Sequence, residues 1–136
     1  MASRSGTMMR PLAVMMKRTP RSINPEATLA EAAVMMRDTR VGAILVAEQG
    51  AFIGIVSETD LVRKAMAGQL NAAQAKVRAV MSSPVITIEQ DRSAHDASDL
   101  MAEKGIRHLA VTEDGRVVGI VTVRDLLRYF KNWGPH

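Results

Sequence analysis

Gly54-Ile55-Val56-Ser57-Glu58-Thr59-Asp60-Leu61-Val62-Arg63 and Gly119-Ile120-Val121-Thr122-Val123-Arg124-Asp125-Leu126-Leu127-Arg128 are two copies of one segment, set 65 residues apart from Gly54 to Gly119. Upstream, the same offset pairs Ile23 with Ile88, Ala32 with Ala97, Met36 with Met101, Val46 with Val111, Glu48 with Glu113 and Gly50 with Gly115, without a gap. Chance does not hold one register across about 40 positions, so the chain is an internal duplication. The copies cover residues 14–68 and 80–131. An N-terminal extension (1–13) precedes them, and an Ala- and Gln-rich linker (69–79), expected to be partly helical, joins them.

Each copy reads as β-α-β-β-α. A short strand, Arg21–Ile23 or Val85–Ile88, leads to a helix over Leu29–Thr39 or Ala94–Lys104. Both helices open with a capping box, Thr28-x-x-Glu31 and Ser93-x-x-Asp96, in which side chains satisfy the N–H groups of the first turn. Leu29, Ala32, Ala33 and Met36, and Ala94, Ala97 and Met101, supply the buried stripe. Two strands follow, Ala43–Ala47 then Phe52–Val56, and Leu109–Thr112 then Val117–Val121. Their turns place Gly50 and Gly115 where a hairpin needs positive φ. A second helix begins near Ser57–Asp60 and near Thr122–Asp125. One copy alone cannot bury both faces of a three-stranded sheet. The expected fold is therefore mixed α+β, two repeats packed with pseudo-twofold symmetry into one module.

Composition narrows the function. Of 136 residues 47% are apolar and only 3% aromatic, so the core is aliphatic and uses the ten Met, with Met15-Met16 and Met35-Met36 as adaptable filler. The absence of Cys excludes a disulfide scaffold, a thiolate metal site and a Cys nucleophile. His95, His108 and His136 lack metal-ligand spacing, so no metal is expected. Ala43–Ala47 and Phe52–Val56 fall far short of the ~20 residues of a membrane span. The run Leu12–Met16 ends at Lys17-Arg18, below the ~7–15 residues of a signal-peptide core. No membrane association and a cytoplasmic location are expected. The net charge of +4 and the pI near 10.0 admit an acidic partner, but no run of five basic residues occurs.

The arrangement resembles the cystathionine β-synthase (CBS) domain pair, or Bateman module, over nearly the whole chain. The most specific residues are the Gly-hydrophobic-x-Ser/Thr-x-x-Asp segments, Gly54 to Asp60 and Gly119 to Asp125. Val14-Met15 and Val80-Met81 before the first strands, and Pro25-x-x-Thr28-Leu29-x-Glu31-Ala32 before the first helix, support it. The resemblance implies an adenine nucleotide or other adenosyl ligand (AMP, ADP, ATP or S-adenosylmethionine) in clefts between the repeats, a regulatory role, and dimerisation into a flat disc. The second copy departs in its lead-in, Gln90-Asp91-Arg92-Ser93-Ala94. The first has Gly42-Ala43 where the second has Arg107-His108. Two equivalent sites are therefore in question.

Ser57-x-x-Asp60 and Thr122-x-x-Asp125 are themselves capping boxes, which alone would account for them. Their recurrence behind Gly54 and Gly119 favours a ligand, and the two roles are compatible. A helix N-terminus offers N–H groups to a phosphate, Asp60 or Asp125 can accept from a ribose diol, and Ser57 or Thr122 can donate to a phosphate. Thr59 and Arg124 occupy matching places at the helix starts. Arg124 is either a solvated surface residue or, as the resemblance implies, a phosphate contact. The same alternatives hold for Arg107 and His108, and His108 would add pH sensitivity near its reference pKa of about 6.5. By the same resemblance, Pro20–Ile23 and Pro84–Ile88 offer backbone groups and apolar walls to an adenine. Ile55 and Ile120 flank it, although core packing explains Ile23, Ile55, Ile88 and Ile120 equally well.

The reading that results is a stand-alone regulatory module, not an enzyme, needing no cofactor and signalling to an unidentified partner protein, with a homodimer expected through Leu61, Met66, Leu126 and Leu127. The alternative is a structural dimerisation module with decayed sites. An enzyme lacks a nucleophile–base pair or P-loop here. A nucleic-acid binder lacks a recognition motif and stacking aromatics.

Overall fold

The computed structural model describes residues 11–18 and 20–133, the side chain of Trp133 excepted. Residues 1–10 of the expected extension, and His136, lie outside the described residues. Along the chain run β1 (Lys17–Arg18), β2 (Ser22–Ile23), α1 (Leu29–Thr39), β3 (Ala43–Glu48), β4 (Ala51–Ser57) and α2 (Glu58–Asp60, continued by a π-helical stretch over Leu61–Met66). Then come β5 (Thr87–Glu89), α3 (Ala94–Lys104), β6 (His108–Glu113), β7 (Arg116–Thr122) and α4 (Val123–Trp133). Single 3-10 turns precede each half, at Leu12–Val14 and Val77–Ala79. The chain is thus mixed α+β, with two β-α-β-β-α repeats. Beyond α2 the linker forms turns and that 3-10 helix. The helical part of the linker is that 3-10 helix, and most of the residues between Met66 and Val77 lie in turns.

Local chemistry explains the elements. Thr28 Oγ1 accepts from the Glu31 N–H at 3.1 Å while the Glu31 carboxylate accepts from the Thr28 N–H at 2.8 Å, and Ser93 and Asp96 repeat the exchange. Helix α1 ends on Arg40 and α3 on Gly105, both left-handed, at φ 57° and 67°. Gln49-Gly50 and Asp114-Gly115 all have positive φ, the two-residue turn whose twist matches the flanking strands. A register shift falls at Val46/Ala47 in one hairpin and at the equivalent Val111/Thr112 in the other.

The residues divide into two compact units that do not coincide with the sequence copies. A continuous unit spans Arg21–Val85, and a split unit joins Met1–Pro20 to Ile86–His136. In the continuous unit β2 lies parallel to β3, and β3 antiparallel to β4. In the split unit β5 lies parallel to β6, β6 antiparallel to β7, and β1 caps the free edge of β7. The segment leading into each sequence copy has been exchanged. Leu12 and Met16 belong to the core of Leu109, Val111 and Val121, whereas Val77 and Val80 belong to that of Ile44, Val46 and Val56. The backbone follows suit. Leu12 N–H donates to Arg92 C=O at 2.9 Å, and Val77 N–H to Ala27 C=O at 2.8 Å. Met15 and Val80 are thereby equivalent, as are Met16 and Met81. Pairing Val14-Met15 with Val80-Met81 is one residue out of step: Val14 is exposed while Val80 is buried. The Met doublets serve as filler, with Met16 and Met36 buried and Met15 and Met35 packed beside them.

This exchange explains the motif glycines. A Cβ on Gly119 would lie 2.7 Å from Met16 Sδ and 2.8 Å from Lys17 C=O, and one on Gly54 would lie 2.7 Å from Ser82 C=O. The lead-in backbone crosses the motif strand there, pairing Lys17 with Ile120 and Ser82 with Ile55. Both glycines are thus required by packing, independent of any ligand. Gly54→Ala and Gly119→Ala are each expected to destabilise by about 1–3 kcal/mol, the usual penalty of overpacking. Urea unfolding measures this, and a loss below about 0.5 kcal/mol, the level of an ordinary surface substitution, would contradict the crossing.

The caps also set an acid limit. Hydrogen bonding from the Thr28 N–H, then from its hydroxyl, holds Glu31 below its ordinary 4.5. Asp96 is held below 3.8, first by the Arg92 guanidinium and next, against desolvation, by the Ser93 N–H. A carboxyl with a depressed folded pKa stabilises above its unfolded value, and that stability is lost as pH falls through the folded one. The urea midpoint should therefore respond little to these groups well above 4.5 and fall below it, with Thr28→Ala flattening the decline.

Candidate functional site

Each motif places its hydroxyl at the last residue of a strand and its carboxylate one helical turn on. Ser57 ends β4 and Thr122 ends β7. Thr122 N–H and Oγ1–H both donate to Asp125 Oδ2, at 2.9 and 3.1 Å, and Asp125 N–H returns a bond to Thr122 Oγ1 at 3.2 Å. Ser57 and Asp60 make the same three bonds at 2.9, 3.1 and 3.2 Å. Both capping boxes therefore exist as structural devices. They also hold each carboxylate by one oxygen, Oδ2, and aim the other.

The N–H groups of these helix starts are largely used. Glu58 N–H donates to Gly42 C=O and Val123 N–H to Arg107 C=O, and the capping boxes take those of Asp60 and Asp125. The expected cluster of free amides is reduced to those of Thr59 and Arg124, because the strand end preceding β3 or β6 reaches the first turn.

The two sites differ beyond the capping boxes. In the split unit, His108 begins β6 opposite Thr122 in register, and Arg107 precedes it, so Arg107, His108, Thr122, Arg124 and Asp125 come together. Arg107 and Arg124 are exposed and make no ion pair among the described residues. No side-chain partner is found for Asp125 Oδ1 among the described residues either. In the continuous unit Asp60 is buried, and its Oδ1 is 3.0 Å from Lys64 Nζ. Lys64 is an i+4 partner, a spacing visible in the sequence. Its counterpart at the same offset is Tyr129, buried and edge-to-face on Phe130.

Ile23 and Ile88 are buried in the cores between sheet and helices. Core packing accounts for both side chains. Ile55 and Ile120 alternate with core residues Val56 and Val121, so they lie on the opposite sheet face. Pro20 falls in the split unit and Pro84 in the continuous one, and they are not equivalent, since the offset sets Pro20 against Val85. Thr59 is exposed. Sequence reasoning missed Arg78, whose guanidinium joins Glu26 (2.9 Å) and Glu48 and so ties the exchanged lead-in to the hairpin of the continuous unit.

Known proteins match this architecture. The CBS domain family matches residues 12–67 and 77–132, both lead-ins included. The chain is 37% identical over 105 residues to the CBS domain-containing protein YhcV of Bacillus subtilis, covering 77% of this chain and 74% of that one. It is 39% identical over 107 residues to the uncharacterized protein MK0525 of Methanopyrus kandleri, covering 77% of this chain and 55% of the relative, so it spans only about half of that longer protein. Among solved structures, an uncharacterized conserved protein of Pyrococcus horikoshii superposes with a TM-score of 0.85 at 26% identity, covering 95% of this chain and 98% of that one. The CBS pair of protein MJ0100 superposes at 0.81 with 23% identity, covering 90% and 97%. The chain is a tandem-repeat α+β protein and belongs to the CBS domain family, with two CBS domains in succession.

Proposed function

We propose that the chain is a regulatory CBS pair that binds an adenosyl ligand at its second motif and signals to a separate protein, without catalysis. The observation that carries this reading is Asp125. Its Oδ2 is fixed by two donors from Thr122 while Oδ1 has no side-chain partner among the described residues, with the exposed Arg124 next to it in the chain and the exposed Arg107 hydrogen-bonded through its backbone to the same helix start. A carboxylate held this way accepts from a vicinal diol, and two arginines on the same helix start and its adjoining strand end suit a phosphate or carboxylate tail. Family membership supports the same class. The MJ0100 pair is described in complex with 5′-methylthioadenosine and S-adenosylmethionine, and a Burkholderia ambifaria relative in fold is provisionally named for signal transduction. A cytoplasmic setting belongs to this reading.

Thermal-shift measurements with AMP, ADP, ATP and S-adenosylmethionine test it. A ligand at 100 times its Kd stabilises by roughly 2.7 kcal/mol, which raises the Tm of a chain this size by about 3–6 °C. Asp125→Ala should then lower affinity roughly ten- to a hundredfold, since hydrogen bonds to a charged acceptor contribute about 1.5–3 kcal/mol. Lost stability with unchanged affinity would leave Asp125 as a cap only.

Self-association forms part of the proposal. Of the four leucine and methionine residues expected on the surface, Leu126 is instead buried in the split unit's core and Leu61 packs against that of the continuous unit. Met66 remains 74% exposed and Leu127 64% exposed, and Val62, the equivalent of Leu127, is 57% exposed. Large apolar groups left at matching positions on α2 and α4 suit a homodimer. Sedimentation at micromolar concentration is expected to give twice 14.8 kDa, and Leu127→Glu with Met66→Glu to return the monomer.

A further inference from the structure

We infer that Lys64 is a built-in occupant of the first motif, and that it restricts the chain to one adenosyl ligand, held at the second motif. The inference rests on the function proposed above and assigns the cause of an inequality between two otherwise matching sites. The capping geometry is the same to within 0.1 Å in both copies, so the backbone does not distinguish them. What differs is the outward oxygen. Asp125 Oδ1 is open among the described residues, whereas Asp60 Oδ1 receives Lys64 Nζ at 3.0 Å.

Lys64 is anchored rather than loosely paired. An ammonium has three donors. One meets Asp60 Oδ1, a second meets Val80 C=O at 3.1 Å, and the third points to Ser82 Oγ at 3.5 Å, the limit of a hydrogen bond. Val80 and Ser82 belong to the exchanged lead-in, itself fixed by the paired hydrogen bonds of Ile55 and Ser82 at 2.9 and 2.8 Å. The carboxylate side chain is only 8% exposed. A diol approaching Asp60 must therefore displace a positive charge from a buried negative one, and two neutral hydroxyls replace an ion pair that also satisfies a backbone carbonyl. A diol approaching Asp125 Oδ1 displaces no side chain of the described residues. At position 129 the duplication carries a buried tyrosine, which has no positive charge with which to close the second site.

Isothermal titration calorimetry of the full chain with AMP, ADP, ATP and S-adenosylmethionine in turn, against wild type, Lys64→Met, Lys64→Gln and Lys64→Met/Asp60→Ala, tests the inference. Lys64→Met keeps the packing of the aliphatic stem, and Lys64→Gln serves should the Met variant not fold. The expected stoichiometry is one ligand per wild-type chain, two per chain of either Lys64 variant, and one again in the double variant. Two ligands per wild-type chain, or a single ligand in the Lys64 variants, overturns the role of Lys64 while leaving the adenosyl-binding function intact. No binding of any of the four to wild type or to the variants overturns the binding function, and the inference with it. Binding that appears only in the Lys64 variants upholds Lys64 as the occupant of Asp60 and removes the second motif as the wild-type site.

Discussion

The close crossing of two backbones at Gly54 and Gly119 is the constraint from which the rest of the molecule follows. At each, a carbonyl oxygen of the exchanged lead-in lies within 2.8 Å of where a Cβ would be. The crossing lets Lys17 and Ser82 pair with the motif strands, and it brings Leu12 and Met16, or Val77 and Val80, over the cores those strands carry. Three residues beyond each glycine lies the Ser or Thr that caps the following helix. The strand that must admit a foreign backbone therefore also delivers the capping hydroxyl and, one turn later, the carboxylate. Packing and site share one short segment, which is why the motif recurs intact in both copies.

The same crossing ties each compact unit to residues distant in the chain. The split unit holds Leu12 and Leu126 in one core. Local loss of either lead-in exposes a buried Leu or Val and unpairs backbone groups in the other copy's hairpin, so neither copy's unit is complete on its own sequence. Folding energy is thus distributed across the duplication, although each unit has a separate core.

Much of this was legible in the residues. Both β-α-β-β-α patterns, the α1 and α3 spans, the four capping boxes and the Gly turns follow from spacing and local chemistry, because each is set by residues within one turn of itself. The exchange was not legible. Leu12–Met16 is a short apolar stretch and Val77–Met81 is apolar but for Arg78, and nothing local specifies which of two similar sheets each covers. Without the exchange, Gly54 and Gly119 read as ligand determinants, when the crossing already requires them. Leu126 read as a surface residue for a related reason: the helix period marks which residues share a face but not how deeply that face sinks. Lys64 had a readable signal, four residues after Asp60 on a helix. The duplication itself does not mark it, because the residue at the same offset is Tyr129 and the ion pair has no counterpart in the second copy.

That difference bears on how a duplicated binding module diverges. The scaffold of each site is held by bonds that folding needs anyway: the capping box secures a helix whether or not a ligand arrives. Selection on stability alone would preserve Ser57 and Asp60 as well as Thr122 and Asp125, so an intact motif is weak testimony to an active site. The informative positions are those where the fold is indifferent. Position 107 is Arg where position 42 is Gly, position 124 is Arg where 59 is Thr, and position 64 is Lys where 129 is Tyr. Around the second motif the added Arg107 and Arg124 make no ion pair with Asp125 among the described residues, and in the first copy Lys64 is spent on the carboxylate itself. Charge placement around a common frame, rather than the frame, separates the two halves.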